Sequence, residues 1–275
     1  MTVSESLVRF PAPPGSKIQI LRPFAVYSSN TYSTPVTAPI GPAYLASILE
    51  KAGYKVDIID ALGEGIQQLN RSENGEYTFQ GLTINEILDR VDPDFDALGI
   101  SLMFSQDWVH HRELIEAIKG EYPKLTLIVG GEHPSAMPEY VLRDCPAIDF
   151  IITGEGELAF LETLHLHLTK KDPSRVPGVF SLNKEGRFID NGPGRRISDF
   201  GNLPWPAWHL CDLEKFFTGM WSFGIGYGRN MPIIGTRGCP YQCTFCVSGV
   251  RRGKLRTFPL EIVKAEIDYI ADNYA

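Results

Sequence analysis

Apolar and polar positions fall into alternating blocks along the first 170 residues. Short, nearly continuous apolar runs occur at Ile18-Gln-Ile-Leu, Lys55-Val-Asp-Ile-Ile-Asp, Ala97-Leu-Gly-Ile-Ser-Leu-Met, Leu125-Thr-Leu-Ile-Val-Gly-Gly and Phe150-Ile-Ile-Thr-Gly. Between and after them lie stretches with helical spacing, about residues 40–52, 84–91, 110–120 and 158–168. Strands buried on both faces read as such apolar runs, and alternation with helices predicts a parallel sheet covered on each side. The pattern predicts a flavodoxin-like doubly wound α/β domain with strand order 2-1-3-4-5.

Sheets of this kind bind ligands beyond the carboxyl ends of their strands. Here the loops at those ends are rich in Gly, Ser and polar residues: residues 28–37, 101–107, 130–135 and 154–157. A Gly pair such as Gly130-Gly131 is more often a simple turn, but it also lets a ligand reach the backbone. Four such loops on one edge favour a ligand site.

The pattern changes after residue 175. Val179-Phe-Ser-Leu and Arg187-Phe-Ile read as a small hairpin, and Leu203-Pro-Trp-Pro interrupts regular structure. A strand over Met231–Gly235 and a helix over Pro259–Tyr274, with Pro at its start, form one further βα unit. The expected division is a flavodoxin-like domain over 1–175, a hairpin and Pro/Trp-rich linker over 176–228, and the first βα unit of a partial (β/α) barrel over 229–275.

The 275 residues carry a net charge of −7. That balance argues against binding along a phosphate backbone, and the single basic cluster (Arg251, Arg252, Lys254, Arg256) is too local to reverse it. No apolar run is long enough to span a bilayer, and the N-terminus does not resemble a secretion signal. The expectations are no nucleic acid, no membrane and a cytoplasmic location.

Chemistry concentrates in Gly238-Cys-Pro-Tyr-Gln-Cys-Thr-Phe-Cys246, a C-x3-C-x2-C spacing. Three thiolates on one loop, Cys239, Cys243 and Cys246, can hold three irons of a [4Fe-4S] cluster and leave the fourth open to a cosubstrate. Structural zinc takes four ligands in paired clusters. The nearest further donors, His209 and Cys211, match such spacings poorly. Five cysteines, an odd number, also disfavour a disulfide framework.

The cysteine spacing, with Phe245 before the last cysteine, resembles the signature of radical S-adenosylmethionine (SAM) enzymes. Thr37-Ala-Pro-Ile-Gly-Pro, Val129-Gly-Gly-Glu-His-Pro-Ser, Thr153-Gly-Glu-Gly-Glu, Leu203-Pro-Trp-Pro and Arg256-Thr-Phe-Pro-Leu-Glu follow in the order seen in the cobalamin-binding subgroup of that family. The resemblance implies three cofactors: a [4Fe-4S] cluster on the three cysteines, SAM on the open iron, and cobalamin on the N-terminal domain. It implies reductive cleavage of SAM to a 5′-deoxyadenosyl radical and radical methylation or cyclisation of a small-molecule or natural-product substrate. The electron would come from a donor such as flavodoxin or ferredoxin. No catalytic residue is assigned. No histidine precedes His110, so cobalt is expected without a protein histidine.

Residues expected at cobalamin are Asn30, Thr31, Tyr32, Ser101, Ser105, Gly130, Gly131, His133, Gly154 and Glu155, with Phe245 and Arg256 near SAM. For any one of Asn30, Thr31, Tyr32, Ser101 and Ser105, ordinary loop hydrogen bonding is the commoner role. For His133 it is about as common as ligand contact, and capping the following helix is the alternative for Glu155. His110 and His111 are expected at a helix start facing solvent, and His165 and His167 on a helix surface without partners. One βα unit is short of a barrel, so weak SAM cleavage by this chain alone is expected. The alternatives are a corrinoid-binding module without SAM cleavage and a zinc-stabilised flavodoxin-like protein.

Overall fold

The structure is a computed structural model that describes residues 1–31, 36–218, 229–241, 243–244, 246 and 253–274. Tyr32, Phe245, Arg251 and Arg252 lie outside the described residues.

Five parallel strands form the frame: β1 (Lys17–Arg22), β3 (Lys55–Asp60), β6 (Ala97–Ser101), β7 (Thr126–Gly130) and β8 (Phe150–Ile152). β1 sits between β3 and β6, with Ile18 opposite Val56 on one side and Ala97 on the other; β7 and β8 follow outward. In chain order this is 2-1-3-4-5, as the apolar runs predict. Side chains alternate between two cores. Ile18, Ile20, Ile128 and Ile152 face α2 (Ile40–Lys51) and α8 (Gly156–Leu168). Leu21, Leu98, Leu127 and Ile151 face α5 (Trp108–Glu121). Burial on both faces is why these strands stand out in the sequence.

Other elements depart from the sequence reading. β9 (Val179–Leu182) and β10 (Phe188–Asp190) form the expected hairpin, but β9 pairs antiparallel with β8 and extends the sheet to seven strands. The polar segment near residues 70–77 contributes to a three-stranded sheet of β2 (Ala25–Ser28), β5 (Tyr77–Gln80) and β4 (Leu69–Arg71). The connection from β7 to β8 holds two short helices, α6 (Glu132–Ala136) and α7 (Pro138–Asp144). Met231–Gly235 is not a strand; pairing begins one residue later, as the two-residue strands β11 (Thr236–Arg237) and β12 (Arg256–Thr257). The last helix, Leu260–Tyr274, follows β12. No helix among the described residues is long and apolar enough to cross a membrane.

The histidines also differ from expectation. His111 is buried, its Nε2 2.8 Å from the Phe24 carbonyl oxygen, and burial lowers its pKa to about 4. His165 meets the Pro11 carbonyl at 2.8 Å, and His167 meets the Thr126 hydroxyl at 2.9 Å. A carbonyl 87 residues away draws His111 inward, which helical spacing cannot reveal. His209 meets Glu50 at 3.1 Å.

Candidate functional site

The carboxyl ends of β6, β7 and β8 open onto a cavity of about 560 Å³. Its walls include Ser101, Gly130, Gly131, Gly154 and Glu155, which the sequence reading groups from three loops. The floor is bare backbone at the glycines. Ser135, also on the wall, accepts a hydrogen bond from the Gly154 amide at 3.1 Å and ties two of these loops together. Gly131 has φ of +109°, and a Cβ there would overlap the Leu102 carbonyl oxygen. Gly131→Ala is therefore expected to destabilise the chain by about 3 kcal/mol, read as a lower urea midpoint.

Other expected residues lie elsewhere. Asn30 and Thr31 are exposed at the end of β2, away from the cavity wall. His133 is buried behind the wall, with Nδ1 2.9 Å from the Ser105 hydroxyl and the ring 5.0 Å from that of Trp108. Its Nε2 has no partner, and burial lowers its pKa. Tyr44, Gly41 and Gly99 line the cavity although their sequence signals are those of an ordinary helix and strand.

Beside the β8 loop, the cavity is bounded by Arg237 and Gly238, where the cysteine segment begins. Arg237 pairs with Glu157 at 2.6 Å and lies 4.0 Å from Glu155. Arg256, its register partner in β12, forms a two-pronged pair with Glu155. Glu155 and Arg256, expected at different cofactors, thus meet each other. Both arginines are largely buried; the Arg237 guanidinium lies 5.1 Å from the centre of the Tyr44 ring, and Arg256 lies 5.6 Å from that of Phe200. Burial alone would lower the Arg237 pKa, but Glu157 and Glu155 beside it outweigh that and hold it raised.

Cys239 and Cys246 are half-buried and Cys243 is exposed. The Cys239 amide donates to the Gly253 carbonyl at 3.1 Å, and the Cys246 amide to that of Cys243 at 3.0 Å. None of the five cysteines forms a disulfide. Among the described residues no group of three or more His, Cys, Asp or Glu side chains is placed to hold a single metal ion. In an iron–sulfur cluster each thiolate takes its own iron, so three soft donors on one short loop fit a cluster by their chemistry. The glycine-floored cavity with its serine hydroxyls fits part of a large planar ligand, because side chains would otherwise fill that space.

Residues 31–164 match the B12 binding domain. The chain is 29% identical over 290 residues to cytidylyl-2-hydroxyethylphosphonate methyltransferase of Streptomyces wedmorensis, covering 94% of this chain and 53% of that protein. It is 28% identical over 201 residues to the cobalamin-dependent radical SAM methyltransferase TokK of Streptomyces tokunonensis, covering 71% and 28%. The chain thus spans about half the length of the first relative and less of the second. The fold is that of the cobalamin-dependent SAM radical enzyme OxsB, solved with aqua-cobalamin and SAM bound, with a TM-score of 0.69 at 22% identity over 93% of this chain and 31% of that one. Strand order and sequence agree, and the chain resembles the cobalamin-dependent radical SAM enzymes over most of its length.

Proposed function

We propose that this chain binds cobalamin in the cavity at the carboxyl ends of β6–β8 and a [4Fe-4S] cluster on Cys239, Cys243 and Cys246. The whole protein would be a radical SAM methyltransferase or cyclase acting on a small-molecule substrate, fed by a donor such as flavodoxin or ferredoxin. When bound, the cluster and SAM supply a carbon-centred radical, and cobalamin supplies a transferable group. The observation that carries the reading is the position of the cysteine segment: it leaves the fold at Arg237-Gly238, on the wall of the cavity. The residues that would hold the two cofactors are thus adjacent in the chain at Gly238 and Cys239.

The residues of the chain have separable tasks. Gly130, Gly131 and Gly154 keep the cavity floor clear, and the Ser101 and Ser135 hydroxyls offer hydrogen bonds to a polar ligand edge. The three cysteines supply thiolates. Arg237 and Arg256 carry fixed charge beside the segment but are committed to Glu157 and Glu155.

Anaerobic iron reconstitution, metal analysis and electron paramagnetic resonance of the reduced protein, with and without SAM, test this. The expected result is a reduced [4Fe-4S] signal that shifts on adding SAM, together with stoichiometric hydroxocobalamin binding by visible absorption. Corrinoid binding with a cluster indifferent to SAM would leave a corrinoid-binding module. Stoichiometric zinc without iron would overturn the cluster.

A further inference from the structure

The two-residue strands β11 and β12 form a stem that closes the segment bearing the cysteines. The stem is tight. Gly238 has φ of +92°, and a Cβ there would overlap the Lys254 carbonyl oxygen. Two backbone hydrogen-bonding residues would not by themselves hold a loop in place, because an isolated hairpin is marginal in water. What holds this one is a four-charge cluster. Arg237 and Arg256 occupy one rung of the stem, and both reach the same turn, residues 154–157, at the start of α8. Glu155 also accepts the Ile197 amide at 2.7 Å, and Arg256 donates to the Ile197 carbonyl, so the connecting segment is drawn into the same cluster. Phe200 and Phe258 stack at 4.0 Å beneath the guanidinium groups and exclude water.

That turn has a second face. Gly154, Glu155, Gly156 and Glu157 line the cavity. The same turn therefore lines the cavity on one side and, through Glu155 and Glu157, holds the cysteine stem on the other. We propose that Glu155, Glu157, Arg237 and Arg256 are a positioning clamp that couples occupancy of the cavity to the docking of the cysteine loop. A ligand that orders the 154–157 turn fixes the carboxylates, and these fix both arginines of the stem. By linkage the effect is reciprocal: a docked stem tightens ligand binding by the same factor that the ligand tightens the stem. The inference rests on the reading of the cavity as a cobalamin site only for the identity of the ligand.

The test is the rate of iodoacetamide alkylation at each cysteine, read by mass spectrometry on the full chain without a cluster. The buried Cys145 serves as an internal reference. Saturating hydroxocobalamin is expected to slow alkylation of Cys239, Cys243 and Cys246 by about tenfold, a usual size for coupling between sites. Arg256 does not line the cavity. In Arg256→Gln the slowing is expected to fall below about twofold at saturating hydroxocobalamin, with Arg256→Lys intermediate because it keeps the charge without the fork. Arg195→Gln breaks the Arg195–Glu162 pair on the same helix but does not touch the stem, and it should keep the full slowing. That control separates loss of the clamp from general loosening of α8. Full slowing in Arg256→Gln, or equal loss in Arg195→Gln, would overturn the proposal. If hydroxocobalamin does not bind the parent chain, the cobalamin reading fails. The clamp is then judged on ligand-free rates, which Arg256→Gln must raise and Arg195→Gln must not.

Discussion

Arg237→Met is expected to cost about 3–5 kcal/mol of stability, because it strands the Glu157 carboxylate without its counter-charge in a buried site. The side chains of Arg237 and Glu157 are 11% and 7% exposed, so solvent would do little to compensate. The desolvation of both groups is already met in the folded chain, and the pair is the return on it. Deleting the whole pair is a different matter. In Arg237→Met/Glu157→Leu the apolar replacements pack beside Tyr44 and Phe200, and most of the loss should be recovered. Urea unfolding of the parent, both single variants and the double variant at pH 7 gives the coupling directly. A loss below about 1 kcal/mol in Arg237→Met would place the pair with ordinary exposed ion pairs and remove the energetic basis of the clamp.

The double variant also separates stability from coupling. It restores a well-packed stem but removes one of the two charge links between the cavity wall and the cysteine loop, leaving Arg256–Glu155 in place. A chain that recovers stability without ligand-dependent protection of its cysteines would show that these charges are retained for positioning rather than for holding the fold together.

How far the sequence revealed this arrangement depends on the range of the interactions. The five parallel strands were legible because each is buried on both faces and so reads as an apolar run; Ile18, Leu98, Leu127 and Ile151 are fully buried. The glycine-lined loops were legible because strand ends in such sheets converge on one edge. β4 was not: Leu69, Asn70 and Arg71 are all exposed and carry no alternation. The attachment of β9 to β8 was not legible either, since a hairpin's own pattern does not say which edge it joins. The clamp was hidden for another reason. Arg256 and Glu155 are 101 residues apart, and a charged residue carries no local mark of its distant partner. Each was visible as a motif residue, but their pairing with one another was not.

Glu266 shows the opposite case, a local pattern broken for a reason only burial reveals. On the last helix Ile262 and Val263 pack onto the core and Tyr269 packs on Trp205 at 5.1 Å, so position 266 falls in the middle of the buried stripe. Glu266 is 1% exposed, and neither carboxylate oxygen has a hydrogen-bond partner. Burial therefore raises its pKa from 4.5 to about 7. Its negative charge, after burial itself, helps to hold the nearby Tyr44 phenol well above its usual range. The sign of the pH dependence follows. Below pH 4.5 the group is protonated folded and unfolded, and it costs nothing. Between pH 4.5 and 7 the folded state holds the proton more tightly, so stability falls as pH rises. Above pH 7 the full penalty, about 3 kcal/mol, is present. Glu266→Gln removes the charge and nearly keeps the shape. It is expected to stabilise the chain at pH 8 relative to its effect at pH 5 by roughly 2.5 kcal/mol, the difference cancelling Asp107, which burial also raises to about 7. Urea unfolding of parent and variant at both pH values measures it. Equal effects at pH 5 and pH 8 would mean that Glu266 finds a counter-charge or water, and that the last helix is docked less closely than the burial of Glu266 states.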